Sequence, residues 1–227
     1  MNAFARGVAR PRALLFDLDG TLYRQDLLRG LMALELLPLL LRPGWADLRA
    51  LRAFRRVRES LRASRPPGGA PLDELQFSET ARVLGCAPAR IQSVVEEWMY
   101  RRPLKYLAGC RRPGVIELLD RLASDGIQAG VLSDYPVTDK LRALGLLDRF
   151  SLRLATTDPE IDAFKPSARG FLRACELWGL QPSEVLYVGD RPEVDGAGAA
   201  AAGMSCWIVS GSRPQRLEAL GERYFGA

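Results

Sequence analysis

Two aspartates one residue apart stand in the run Asp17-Leu18-Asp19-Gly20-Thr21, directly behind the apolar stretch Ala13-Leu14-Leu15-Phe16. Further along come Ser133-Asp134, then Lys165 within Asp162-Ala163-Phe164-Lys165-Pro166, then Gly189-Asp190 with Asp195 five residues later. Carboxylates crowded into one place repel one another unless they are protonated or bridged by a cation. A hard divalent ion suits such a set, and magnesium takes octahedral oxygen ligands, a few from protein and the rest from water and phosphate. Lys165 can neutralise remaining charge and hold a phosphoryl oxygen, and Ser133 can donate a hydrogen bond to the same group. In-line positioning and charge stabilisation of this kind are what phosphoryl transfer requires. The chain has no histidine, so a Ser-His-Asp triad and a Cys-His pair are excluded, and acid–base work falls to carboxylates, lysine, tyrosine or water.

These residues converge only if the elements before them end on one rim. Ala13 to Phe16 reads as a buried strand, and Gln128 to Leu132, Leu152 to Ala155, Val185 to Val188 and Ser205 to Val209 read as four more. Between them lie helical patterns at Pro113 to Ser124, with proline in the first turn, Val137 to Leu144, Ser167 to Trp178 with Ser167 as cap, Glu193 to Ala202, and Pro214 to Leu220. Alternation of strand and helix predicts an α/β, Rossmann-like parallel sheet covered on both faces, with ligands at the carboxyl ends of the strands. After the first strand the alternation is interrupted. Asp26 to Leu41, Trp45 to Ala63, Leu72 to Leu84 and Pro88 to Tyr100 read as helices, so residues 22–107 are expected to form an inserted all-helical cap. The core would then be 1–21 and 108–227.

In the order and spacing of these motifs, over nearly the whole chain, the sequence resembles the haloacid dehalogenase-like (HAD) superfamily, in particular its phosphatases with a helical cap of the first type, such as phosphoglycolate phosphatases. Asp17-Leu18-Asp19-Gly20-Thr21 matches the first family motif, Ser133 the second, Lys165 the third, and Gly189-Asp190 with Asp195 the fourth. The resemblance implies that Asp17 attacks phosphorus to form an aspartyl-phosphate, and that Asp19 protonates the leaving oxygen and then activates water. It implies magnesium held by the side chains of Asp17 and Asp190 and the backbone carbonyl of Asp19, with Asp195 orienting Lys165 or a metal-bound water. Thr21 would fix the motif loop, and Thr21, Ser133, Asp134 and Lys165 would surround the phosphate. Asp134 stands where relatives often carry asparagine. Asp19 sets the chain apart from the dehalogenase branch, which differs at that position and needs no metal. A phosphosugar mutase is disfavoured because related mutases use a cap histidine, and a non-catalytic binding protein because the motifs are intact.

The rest of the sequence bounds the setting. The 227 residues are 48% hydrophobic and 26% charged, an ordinary globular balance. Cys86, Cys110, Cys175 and Cys206 form no CxxC pair and read as free buried thiols of a reducing cytosol. Met1 to Arg12 has arginines but no apolar core, so no secretory leader is expected. Leu27 to Leu41 is too short and too interrupted by charge to span a membrane. A soluble, cytoplasmic enzyme acting on a small phosphorylated metabolite, with neither nucleic acid nor membrane as partner, is the expectation. The Gly196-Ala197-Gly198 run superficially fits a dinucleotide pattern but lies inside a helical stretch and reads as close helix–sheet packing. Arg49, Arg52, Arg55, Arg56, Arg58 and Arg62 crowd one cap helix, read first as a solvated face and second as a steering surface for an anionic substrate. Tyr23, Arg24, Trp98, Tyr100 and Arg101 are the candidates for setting specificity.

Overall fold

A computed structural model describes residues 10–40, 45–65, 69–209 and 217–225. Its frame is a five-stranded, wholly parallel sheet of order β3-β2-β1-β4-β5, with β1 at Ala13–Phe16, β2 at Gln128–Ser133, β3 at Leu152–Ala155, β4 at Val185–Gly189 and β5 at Ser205–Ile208. All four residues of β1 are buried, which is why this strand reads as an unbroken apolar run: a central parallel strand is covered on both faces. Leu14 and Phe16 face a core shared with Leu118, Leu122, Leu141 and Leu220. Ala13 and Leu15 face the opposite core, with Phe171, Ala174 and Ala199. The chain runs outward from β1 through β2 to β3, then returns to β4 on the other side. That reversal opens a crevice at the carboxyl ends of β1 and β4, and Asp17 stands there, its N–H bonded to the Val188 carbonyl at 2.8 Å.

Five helices fill the interval after β1: α1 (Gln25–Leu40), α2 (Trp45–Ala63), α3 (Leu72–Leu84), α4 (Pro88–Val95) and α5 (Leu104–Cys110). Helices α2 to α4 build a core of their own around Phe54, Leu51, Ile91, Val94 and Trp98. By contrast, Leu28 of α1 and Leu107 and Cys110 of α5 belong to the core beneath the sheet. Helix α5 is short and follows Pro103, which hides it in the sequence; its apolar positions Leu104, Leu107 and Cys110 recur every three residues on the face toward the sheet. The expected helix at 88–100 is α-helical only to Val95 and continues as a wide π-helical turn, Glu96–Arg101, closed by Arg102 N–H on the Glu97 carbonyl at 3.0 Å.

The remaining helices are α6 (Val115–Ser124), α7 (Thr138–Ala143), α8 (Arg169–Trp178), α9 (Ala197–Ala202) and α10 (Leu217–Phe225). Two expected helix starts are corrected. Pro113 precedes the cap residue Gly114 rather than sitting in the first turn of α6, and α8 is entered through Ala168, with Ser167 reaching only the Arg169 N–H at 3.4 Å. The stretch expected as one helix from Glu193 starts as a π-helical turn, Pro192–Gly196, before α9. Gly198 is close-packed as expected, but against α8 rather than the sheet: a Cβ there would lie 2.5 Å from the Phe171 ring. Cys86 is exposed, contrary to the expectation of four buried thiols; the other three are buried and none is bonded. The expected start of the last helix, 214–216, and Leu41 lie outside the described residues. Among the described residues no helix is long and apolar enough to cross a membrane.

Candidate active site

The loop after β1 brings both of its aspartates to the crevice and gives them different neighbours. Asp17 is 5% exposed. One of its oxygens receives the Lys165 ammonium at 2.7 Å, the other the Thr21 hydroxyl at 3.2 Å. Lys165 also reaches Asp195 at 2.7 Å and the Tyr187 hydroxyl at 3.1 Å. Asp195 in turn accepts the Asp190 and Arg191 N–H groups at 3.1 and 3.0 Å on its second oxygen. The π-helical turn makes this reach: Asp195 N–H closes on the Arg191 carbonyl at 2.7 Å, which swings the side chain under the end of β4. Gly189 leaves room for it, since a Cβ there would fall 2.6 Å from Asp195.

Asp19 has a different set of partners, and it shares with Asp17, Lys165, Asp190 and Asp195 a cavity of about 350 Å³ between the sheet ends and α1, α2 and the π-helical turn. Its Oδ1 receives the Lys140 ammonium at 2.5 Å and the Tyr23 hydroxyl, and its Oδ2 lies 3.4 Å from the Ser133 hydroxyl. Leu28, Met32, Leu36, Trp98 and Met99 give the cavity an apolar wall. Of the five specificity candidates, Tyr23 and Trp98 line this cavity. Arg24 pairs instead with Asp26 at 3.5 Å, and Arg101 with Glu96 at 3.6 Å. Tyr100 packs edge-on against Tyr135.

The electrostatics separate the two aspartates. Burial pushes Asp17 well above the usual carboxylate range; Asp195, Asp190 and Asp19 add to this, against Lys165. Burial also raises Asp19, but the Lys140 charge and the Lys140 and Tyr23 hydrogen bonds outweigh it and hold Asp19 below the usual range. Lys165 is disfavoured by burial yet held well above its ordinary value by Asp17, Tyr187, Asp195 and Asp134. Asp190 is pushed up to about 6, by burial first and Asp195 second.

The residues fit a divalent cation. Asp17, Asp190 and Asp195 each offer a carboxylate oxygen within 4.8 Å of the others, and Asp190 Oδ1 is buried with no hydrogen-bond partner. A buried, orphaned carboxylate oxygen beside a second carboxylate is costly, and a cation relieves that cost. Asp195 is held by Lys165 and by two backbone N–H groups, whereas Asp17 Oδ2 accepts only the Thr21 hydroxyl at 3.2 Å and Asp190 Oδ1 accepts nothing, so those two atoms are the most available ligands.

Gly20 shapes the same corner. Its φ is +102°, and a Cβ there would lie 2.1 Å from Asp190 Oδ2. Arg112 fixes the loop by donating to the carbonyls of Gly20 at 2.6 Å and Thr21 at 3.1 Å. Gly20→Ala is therefore expected to destabilise the fold by about 1–3 kcal/mol and to displace Asp190. Thermal melts with and without magnesium check this: the variant should lose the metal-induced upshift, and a wild-type upshift would show that Asp190 had not moved.

The structure brings Asp17, Asp19, Thr21, Ser133, Asp134, Lys165, Asp190 and Asp195 close together. It adds Lys140, Tyr187 and Arg112, which sequence reasoning missed. One signal for Lys140 existed: the chain has three lysines among 32 basic residues, and two of the three stand in this site. The arginine helix is split. Arg49, Arg52, Arg55 and Arg56 are exposed, but Arg58 is 2% exposed, stacked 4.2 Å from both the Tyr135 and Phe164 rings. Arg62 is likewise turned inward, so the solvated-face reading fails for both: they share the i, i+4 face that carries Phe54 and Leu61.

A family model for haloacid dehalogenase-like hydrolases matches residues 11–203, and the chain belongs to that family. It is 32% identical over 158 residues to a phosphoserine phosphatase of Thermus thermophilus, covering 66% of this chain and 59% of that protein's length. It is 28% identical over 214 residues to a glyceraldehyde 3-phosphate phosphatase of Methanopyrus kandleri, covering 91% and 87%. Among solved structures, a 2-haloacid dehalogenase of Pseudomonas syringae superposes with a TM-score of 0.62 at 22% identity, covering 93% of this chain and 97% of that one. That likeness is one of fold alone.

Proposed function

We propose that this chain is a magnesium-dependent phosphatase that hydrolyses a small phosphate monoester through an aspartyl-phosphate on Asp17. The observation that carries this reading is the division of labour within one loop. Both aspartates line the substrate-sized cavity, but Asp17 is tied to Lys165 beside Asp190, while Asp19, two residues on, is tied to Lys140 and Tyr23 beside Ser133. Phosphatase names among the relatives support it. The second carboxylate favours ester hydrolysis over dehalogenation: a phosphate ester needs its leaving oxygen protonated, and Asp19 is the group positioned to do so.

In this mechanism an oxygen of Asp17 attacks phosphorus in line, and the ester oxygen leaves with a proton from Asp19. Burial alone favours protonated Asp17 while Lys140 and Tyr23 favour ionised Asp19, so Asp17 must give up its proton, and Asp19 take one up, when cation and substrate bind. Asp19, now ionised, takes a proton from water as that water attacks the aspartyl-phosphate. Lys165 and Ser133 hold the phosphoryl oxygens, and Thr21 keeps the loop in register. The side chains of Asp17 and Asp190 and the Asp19 carbonyl would hold magnesium, which when bound neutralises phosphoryl charge. Asp195 and Tyr187 fix the Lys165 ammonium. Within 22–107, α2 to α4 and the π-helical turn at 96–101 serve as the cap, while α5, which crosses the expected boundary at 107, packs with the core, and the cap excludes bulk water from the reacting centre. A small phosphorylated metabolite, in the cytoplasm, is the partner this implies.

Phosphate release from a panel of phosphorylated acids, sugars and nucleotides, with magnesium and with EDTA, tests the reading. Release that depends on magnesium and concentrates on one compound class is expected; release undiminished by EDTA would contradict it. The metal's effect should also depend on pH. Asp190 has a folded-state value of about 6, above the ordinary carboxylate value. Its protonated form therefore favours folding, and that contribution is lost as pH rises through about 6. Magnesium binds the ionised form, so its stabilisation appears over the same range. The magnesium-induced rise in Tm should be larger at about pH 7.5 than at about pH 5. Equal shifts at both would remove Asp190 from the metal site.

A further inference from the structure

Lys165 is gripped from both sides of its own peptide. Its N–H donates to Asp134 Oδ1 at 3.2 Å, and its carbonyl accepts from Arg62. Arg62 and Asp134 are themselves an ion pair at 2.8 Å, with side chains only 11% and 10% exposed. Asp134 also receives the Thr156 hydroxyl at 3.0 Å, and its backbone carbonyl receives Arg58 at 2.6 Å. One turn further on, Arg65 pairs with Asp162 at 2.7 Å and donates to its carbonyl at 2.6 Å, while the Leu72 N–H at the start of α3 meets the same carboxylate at 2.7 Å. Asp162 has a φ of +45°, a left-handed conformation that aspartate tolerates better than most residues. It begins the short loop that ends at Lys165.

We propose that Arg62 and Asp134 are positioning residues for Lys165, forming a latch by which the last turns of α2 set the geometry of the lysine that holds the phosphoryl group. A planar guanidinium can donate to two acceptors at fixed angles, and here those acceptors are the Asp134 carboxylate and the Lys165 carbonyl. Asparagine in place of Asp134 would keep an acceptor for Thr156 and for the Lys165 N–H but would leave Arg62 with only the exposed Glu59, at 3.1 Å, as a charge partner. The aspartate and the arginine therefore belong together. Because Arg58 and Arg62 lie on successive turns of α2, with Arg65 two residues beyond its end, any shift of α2 is transmitted to the Asp134 and Lys165 loops together.

The role of Lys165 in phosphoryl transfer rests on the phosphatase reading, so the test has one arm that needs no activity. With only three lysines in the chain, the ammonium resonances of a 15N-lysine-labelled protein can be assigned by substitution. The Lys165 ammonium, buried among Asp17, Tyr187 and Asp195, should exchange slowly with solvent. In Asp134→Asn and in Arg62→Ala its exchange should speed up at least about tenfold while that of exposed Lys105 is unchanged. Unaltered Lys165 exchange in both variants would overturn the latch, whatever the activity. If Arg62→Ala does not fold, the near-isosteric Asp134→Asn and Arg62→Lys carry the test. In the kinetic arm, each single variant should lower kcat by about 10- to 100-fold with a smaller change in KM, and the double variant should be no worse than the worse single one. Multiplicative losses would mean that the two residues act separately, and would also overturn the latch. Absence of turnover in the unsubstituted protein would count against the phosphatase reading alone and leave the exchange measurement to decide.

Discussion

Asp17→Asn should lower turnover by about 10⁴-fold or more and leave a folded protein. The amide cannot attack phosphorus, and it removes one of the two carboxylates best placed to hold a cation. Yet it is nearly the same size, its Oδ1 still accepts from Lys165, and its amide N–H can donate to the Thr21 hydroxyl in place of the native acceptance. Because burial pushes the native carboxyl well up, removing the charge takes away a destabilising group, so the Tm without magnesium should be equal or higher. The magnesium-induced upshift, in contrast, should shrink. Steady-state phosphate release and paired melts check both statements. Near-normal turnover would take Asp17 out of its assigned role, and a collapsed Tm would make it a structural residue.

Asp19→Asn has the next largest expected effect, and a different signature. Losing a general acid–base group costs about 10²–10⁴-fold, and the cost should depend on the leaving group. An ester whose leaving oxygen is already a weak base, such as a nitrophenyl phosphate, needs no proton to depart. With it, formation of the aspartyl-phosphate should be only mildly slowed, while hydrolysis of the intermediate, which still needs a base, should become limiting. A pre-steady-state burst of nitrophenol is then expected in the variant. Equal slowing for alkyl and nitrophenyl esters, with no burst, would mean that Asp19 does not move protons. Its ties to Lys140 and Tyr23 would then be its whole role.

Much of this site was legible in the sequence because its residues sit at strand ends, where local pattern and chemistry coincide. The apolar run before Asp17 marks a central strand, and the turn residues Gly20 and Thr21 mark where it stops. Asp190 follows Val185–Gly189 in the same way. What could not be read were contributions from elsewhere on the chain. Lys140 projects from a six-residue helix, too short for periodicity to mark a face, and reaches Asp19 only through the packing of α7. Arg58 and Arg62 stood among exposed arginines of identical type, and only tertiary contact separates the two that turn inward. The π-helical turns at 96–101 and 192–196 leave no periodic trace, because each adds a single residue to a helical turn. Yet one supplies Trp98 to the cavity wall and the other places Asp195 beneath Lys165.

The central claim is a covalent phosphoryl group on Asp17, and it can be observed directly. Cleavage after Arg12 and Arg24 isolates residues 13–24, a peptide that carries both aspartates. Asp19→Asn, mixed with magnesium and a nitrophenyl phosphate and quenched in acid within the burst, should yield this peptide with the added mass of one phosphoryl group. Fragmentation should place that group on Asp17, and hydroxylamine should remove it, as expected of an acyl phosphate. An unmodified peptide from an enzyme that is demonstrably turning over, or a hydroxylamine-stable phosphate on Thr21 or Tyr23, would contradict the account.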